Sequence, residues 1–215
     1  MRILSKKSKE KVFEKTLALI KSEEKREWVK KVLGIFPEHF WTQPTSTTGK
    51  YHPACVNVKS GLLVHIKRVV WFAIKFMYAF KYIENPSGVQ KEYLNNVVRK
   101  VNEYDNIVAA CILHDGFKGG KGRSDYKTYE DHPILVEQYY KETFPNEKLN
   151  PWQQEIFSLI KYHMGFWTPE SVRKSVASYT IPELIVYMSD YFASRKELVT
   201  KVDTFGMDLE YEEKK

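Results

Sequence analysis

"ILHDGFKGGKGRSDYKTYEDHP", residues 112–133, reads as the apolar end of a helix running into His114-Asp115, then a glycine-rich basic loop, then His132 at the start of the next helix. The chain has only six histidines, and here one stands directly beside a carboxylate. A single His-Asp pair is a short motif that arises readily by chance. Its meaning depends on whether residues of the same chemistry fall where they can converge on it.

Helical signals extend from this stretch in both directions. On its N-terminal side, the pattern predicts a charged amphipathic helix over 8–33 stopped by Gly34, a long Pro-, Thr- and Gly-containing loop over 36–60, and an apolar helix from an N-capping Ser60 to about Ile83. Further helices are expected over about 88–102 and 106–115, the second ended by Gly116. On the C-terminal side, Asp131 and Pro133 open a helix to about Thr143, and Asn150-Pro151 opens one through His163. "TIPE", 180–183, is a capping box for a helix to about Lys201, and the terminal "YEEKK" is expected to fray. The fold class is therefore all-α, with "RVVWFAI", 68–74, as the stretch where strand propensity competes.

Composition narrows the function classes. At 215 residues and 43% hydrophobic, the chain can bury a sizeable core and lies outside the disordered range. Its 34 Lys plus Arg against 27 Asp plus Glu leave a net charge of +7, which favours a phosphate-bearing partner. Cys55 and Cys111 lie in unrelated contexts without a CxxC spacing, which reads as reduced thiols in a cytoplasmic protein. The first residues lack an apolar signal core, and Lys75 interrupts the most apolar run, so neither secretion nor a membrane partner is expected.

Polar residues then recur on apolar helix faces. His65 is in register with Val69, Phe72 and Phe76; His163 with Trp152, Ile156, Leu159 and Ile160; Asp190 with Val186; and His114 follows Ile107, Ala110 and Cys111. One such histidine alone is usually a satisfied core residue. A buried carboxylate, however, must meet partners inside, so four of these groups together point to a shared site. Imidazole and carboxylate donors without thiolate suit Mn, Fe, Zn, Ni or Mg.

The order His65, His114-Asp115, His132, His163, Asp190 resembles the HD superfamily of metal-dependent phosphohydrolases, whose fold is a helical bundle. "HPACVNVKSGLLVHIKRVV", from residue 52, resembles the "HHAY…GGLLEHT" segment of relatives of the exoribonuclease type. "LHDGFK", from 113, is similar to the family's "LHDLGK", "IKYHMGF" to its "ILSHHG", and "YMSDYFASRKEL" to its terminal "ADNLDA" helix. Gly116-Phe117 and the single His163 depart from those patterns. The resemblance covers residues 51 to about 200. It implies an HD domain there, with residues 1–50 as an N-terminal helix and loop packing on it and 201–215 as a tail.

The resemblance also implies roles. His65, His114, Asp115 and Asp190 would hold one divalent ion; His132 and His163 would hold a second, with Asp115 bridging because a carboxylate has two oxygens. An activated water would then attack a phosphoester. Asp115 and Lys118 are the catalytic candidates; Lys118, Lys121, Arg123 and Arg195 are candidates for binding substrate phosphate, with His52 nearby. His39 reads as structural. The expected partner is a phosphate-bearing small molecule or oligonucleotide, and nothing fixes the oligomeric state. A non-catalytic module that senses a nucleotide or binds nucleic acid is the competing reading, and a complete ligand set argues against it.

Overall fold

Apolar residues spaced by three and four give this chain helices that each need a partner face, and the architecture follows from how they are covered. A computed structural model describes residues 2–46, 48–82, 104–122, 127–198, 200 and 211–213. The helix expected over 88–102, Arg123 and most of the tail lie outside the described residues. Eight helices are described: α1 Lys6–Val12, α2 Glu14–Leu17, α3 Glu23–Gly34, α4 Gly61–Tyr82, α5 Tyr104–Leu113, α6 His132–Thr143, α7 Pro151–Lys161 and α8 Ile181–Ala193. The fold is all-α, with two three-residue strands, β1 Arg2–Leu4 and β2 Tyr211–Glu213, as its only described sheet. No described helix is long and apolar enough to cross a membrane.

At the centre, α5 is buried from Asn106 through Leu113, so it can be covered only by helices on several sides. Those are α3, α4, α7 and α8. The β-branched run of α4 is helical because Val69, Val70, Phe72 and Ala73 bury in that packing, and tertiary burial outweighs a weak local propensity. Entry to α4 is steric: a Cβ on Gly61 would stand 1.9 Å from the Val56 carbonyl oxygen. Ser60 precedes it at φ 60, and its hydroxyl donates to the Trp41 carbonyl at 2.8 Å, which anchors the loop to the start of the helix.

Three expectations are corrected. The single helix over 8–33 is split into α1, α2 and α3, and the break before α3 falls where the Asp105 carboxylate accepts the backbone N–H groups of Lys21 and Ser22 at 2.9 and 2.8 Å. A new helix then starts with Ser22 Oγ accepting from Lys25 N–H. The tail is not frayed at 211–213, where it pairs antiparallel with β1 in the register Arg2↔Glu213 and gains backbone partners. Helix α8 ends at Ala193 rather than near Lys201.

The reason for that early end is Arg68, fully buried in α4. Its Nε donates to the Ala193 carbonyl at 3.1 Å, and its Nη2 donates to those of Arg195 and Leu198 at 3.4 and 2.8 Å. A guanidinium thus closes the negative end of α8 and holds the chain leaving it. Arg68→Ala would orphan these carbonyls. It should lower stability by about 3 kcal/mol or more, since hydrogen bonds to charged groups contribute roughly 1.5 to 3 kcal/mol each. Urea unfolding followed by circular dichroism measures the loss, and Arg68→Lys, lacking the planar fork, should recover less than half of it.

Candidate metal centre

Five elements bring six polar groups to the middle of the bundle. His65 comes from α4, His114 and Asp115 from the turn ending α5, His132 from the first residue of α6, His163 from the turn after α7, and Asp190 from α8. The capping boxes Asn150/Gln153 and Thr180/Glu183 set where α7 and α8 begin, and hence where His163 and Asp190 fall. All four histidines and Asp115 are buried, whereas the Asp190 side chain keeps 18% of its surface exposed. Asp190 therefore marks the open side.

Asp115 faces two ways. Its Oδ2 lies 3.4 Å from His114 Nε2 and 3.8 Å from His65 Nε2; its Oδ1 lies 3.1 Å from His132 Nε2 and 3.7 Å from His163 Nε2. Asp190 Oδ1 completes the first side, 2.9 Å from His65 Nε2 and 3.7 Å from His114 Nε2. Two three-residue sets, His65/His114/Asp115 and Asp115/His132/His163, have ligand atoms within 4.8 Å of one another.

The backbone dictates which ring nitrogen faces inward. The Nδ1 atoms of His114, His132 and His163 lie 2.8, 2.6 and 2.7 Å from the carbonyls of Cys111, Tyr129 and Ile160, each three residues earlier. A carbonyl only accepts, so each Nδ1 must carry a proton, and in the neutral ring Nε2 keeps the lone pair. His132 Nε2 and His163 Nε2 then face each other at 3.2 Å. Two lone pairs at that distance repel unless a cation lies between them. Likewise His114 Nε2 is buried between two carboxylates without a hydrogen bond to any described residue. These are the features of donor sets that fit a divalent ion.

Charge gives the same answer. Burial alone would push the Asp115 carboxyl up, but the Lys118 ammonium, 2.7 Å from Oδ2, and His114 hold it well below the usual carboxylate range. Burial would also raise Asp190, which the nearby His114 and the 2.9 Å contact with His65 hold low. Burial disfavours charge on His114 too, yet the two carboxylates win and push it up to about 10. Without metal, therefore, a proton on His114 and the ammonium of Lys118 neutralise two buried carboxylates. A divalent ion can supply the same charge and displace the proton. His65 and His163 go the other way: burial lowers both, His163 to about 3 with help from the neighbouring His114.

The remaining candidates separate. The His52 ring packs edge-on against His65 with centroids 5.8 Å apart, and burial followed by His65 and Lys118 lowers it to about 3. The Arg195 guanidinium is held between rings, 4.4 Å from the Tyr191 centroid and 5.2 Å from that of Tyr51. Lys121 is drawn aside, lying over Tyr139 at 4.5 Å with Glu142 3.5 Å away, and does not join the cluster. His39 packs under Gly119 beside Gln43, a support for the loop that carries Lys118. The sequence reading missed Arg68, although its spacing of three from His65 on an apolar face was a visible signal, and the Tyr187 and Tyr191 rings on either side of Asp190.

Residues 92–195 match the family model of the HD domain. That span contains His114, Asp115, His132, His163 and Asp190, while His65 lies ahead of it and joins them through α4. The match supports the HD superfamily, whose domains are metal-dependent hydrolases as a rule. No curated protein and no solved structure matches the chain.

The cluster predicts a stability maximum near neutral pH for metal-stripped protein. Below 6.5 the unfolded chain takes a proton on His163 that the folded one refuses until about 3, so stability falls as pH drops through that window, and the low carboxylates add to the loss below 3.8. His114 acts oppositely: its contribution is complete below 6.5 and is lost as pH rises through about 10. Each proton gives a limiting slope of about 1.4 kcal/mol per pH unit. Urea midpoints measured with chelator across the range should peak near neutrality, and His163→Gln should flatten the acid limb. A stability still rising from neutral into alkaline pH would contradict this reading.

Proposed function

We propose that this chain hydrolyses a phosphoester of a nucleotide or short oligonucleotide, with divalent metal held in the buried cluster. The observation that carries the reading is the two-sided Asp115, each of whose oxygens faces its own pair of inward histidine nitrogens. His65, His114, Asp115 and Asp190 would hold one ion, and Asp115, His132 and His163 a second. Manganese, iron, nickel, zinc and magnesium all suit such donors. When bound, divalent metal supplies Lewis acidity that makes hydroxide available near neutral pH and draws phosphate oxygens inward. The HD-domain match supports this reaction class, and the resemblance of residues 52–70 to exoribonuclease-type relatives supports a nucleotide-derived substrate.

The chain's own residues divide the rest of the work. The carbonyls of Cys111, Tyr129 and Ile160 fix the rings by accepting their Nδ1 protons, so no reorganisation is needed when a ligand arrives. Apolar packing around α5 keeps bulk water from the inner face of the cluster. On the open side, Lys118 lies beside Asp115, and the Arg195 guanidinium makes no hydrogen bond or ion pair to a described residue. Its donors are available to the phosphate.

Purified protein should contain close to two metal ions per chain, and His132→Ala should bring this toward one. Asp115→Ala should abolish phosphate release in a monoester and diester panel run with manganese while far-ultraviolet dichroism stays near wild type. A variant keeping a tenth or more of wild-type activity would sink the assignment. Lys118→Ala should cut turnover about tenfold to a hundredfold with metal content unchanged, the size of one charge-assisted phosphate contact.

A further inference from the structure

A continuous arc of rings borders the open side of the cluster. From Tyr51 it runs to the Arg195 guanidinium, 5.2 Å away, then to Tyr191 at 4.4 Å, to Tyr187 with ring centroids 6.4 Å on, and to Phe166 at another 6.4 Å. Each part is tied to the cluster by the chain itself. Tyr51 adjoins His52, whose ring packs on His65; Tyr187 and Tyr191 bracket Asp190; and Phe166 follows His163 by three residues.

The arc is held in place by more than exposure. Lys196 N–H donates to the Tyr51 carbonyl at 3.0 Å, strapping that loop to the end of α8. Gly165, at φ 58, brings its turn so close to Tyr187 that a Cβ would stand 2.2 Å from the ring. Yet the two ends are open: Tyr51 is 52% and Phe166 65% exposed, with Trp167 beside it at 62%. Singly exposed aromatics are ordinary surface. Exposed rings at both ends of a fixed arc, with an Arg in it whose buried Nε lacks a partner among the described residues, form a surface built for a planar ligand carrying negative charge.

We propose that this arc is a stacking shelf that binds the base of the substrate, with Tyr51 and Phe166 as the ring faces and Arg195 aligning the attached phosphate. The inference rests on the phosphoester reading above and adds to it the requirement for an aromatic base and the residues that sense it. Stacking on any base face is sequence-tolerant, so the shelf selects bases over bare sugar phosphates without distinguishing strongly among the bases. A mononucleotide offers one base to the shelf and an oligonucleotide end offers two.

Calorimetric titration in chelator, where no turnover occurs, tests this on the full chain with adenosine monophosphate, a diadenosine dinucleotide and ribose 5-phosphate. Wild type should bind the monophosphate at least about tenfold more tightly than ribose 5-phosphate, the size of one base–aromatic stack. Tyr51→Ala or Phe166→Ala should erase that preference, leaving ribose 5-phosphate unchanged, and Tyr51→Phe should keep it. Loss from one variant alone assigns a mononucleotide to that end of the arc; loss of dinucleotide affinity from both assigns an oligonucleotide end. Equal affinity for the monophosphate and ribose 5-phosphate, absence of binding, or variants that weaken both ligands alike would overturn the shelf. Base-dependent binding by a metal-loaded protein that cleaves no phosphoester would instead remove the hydrolase reading and leave the shelf standing.

Discussion

Two carboxylates lie at the centre of this bundle, and a carboxylate out of water must have compensation close by. Asp115 and Asp190 obtain it from four imidazoles and one ammonium, delivered by four helices and the turns that end two of them. Moving any one of these elements leaves a buried charge or lone pair exposed to repulsion. The site is thus also a constraint on how α4, α5, α6, α7 and α8 pack. The proposed function and the fold draw on the same contacts, and the cluster has the donors to hold a divalent cation.

The second buried charge solves a different problem by the same rule. Arg68 stands one turn beyond His65 on α4 and takes the carbonyls of Ala193, Arg195 and Leu198. By ending α8 there, it turns the chain so that Arg195 lies against Tyr51 and Tyr191 instead of continuing along a helix. A single α4 face therefore sets both the inner imidazole, His65, and the outer guanidinium, Arg195, through Arg68. This coupling explains how a site with a buried chemical end can present an ordered rim to solvent.

Local and distant interactions divide what the sequence shows. The capping boxes at Asn150 and Thr180, the proline-opened helices and the all-α class were legible because their partners lie within a few residues. The ordered set of histidines and aspartates was legible too, since a polar residue on an apolar helix face announces that it needs an inside partner. The break before α3 was not, because the Asp105 carboxylate that meets Lys21 and Ser22 there lies more than eighty residues away in sequence. Nor was the fate of Lys121, which a neighbouring helix claims through Glu142 and Tyr139.

By itself, then, the sequence determined the all-α class, several helix starts and the order of a histidine and aspartate set suited to metal. Only the tertiary structure decided that the two oxygens of Asp115 serve different histidine pairs, that His132 and His163 meet nitrogen to nitrogen, and that Tyr51 and Phe166 end one arc. The physical reason is range. Helix periodicity and capping act over one turn, whereas lone-pair directions and charge compensation depend on angstrom distances between groups separated by tens of residues, and those distances exist only once the helices have packed.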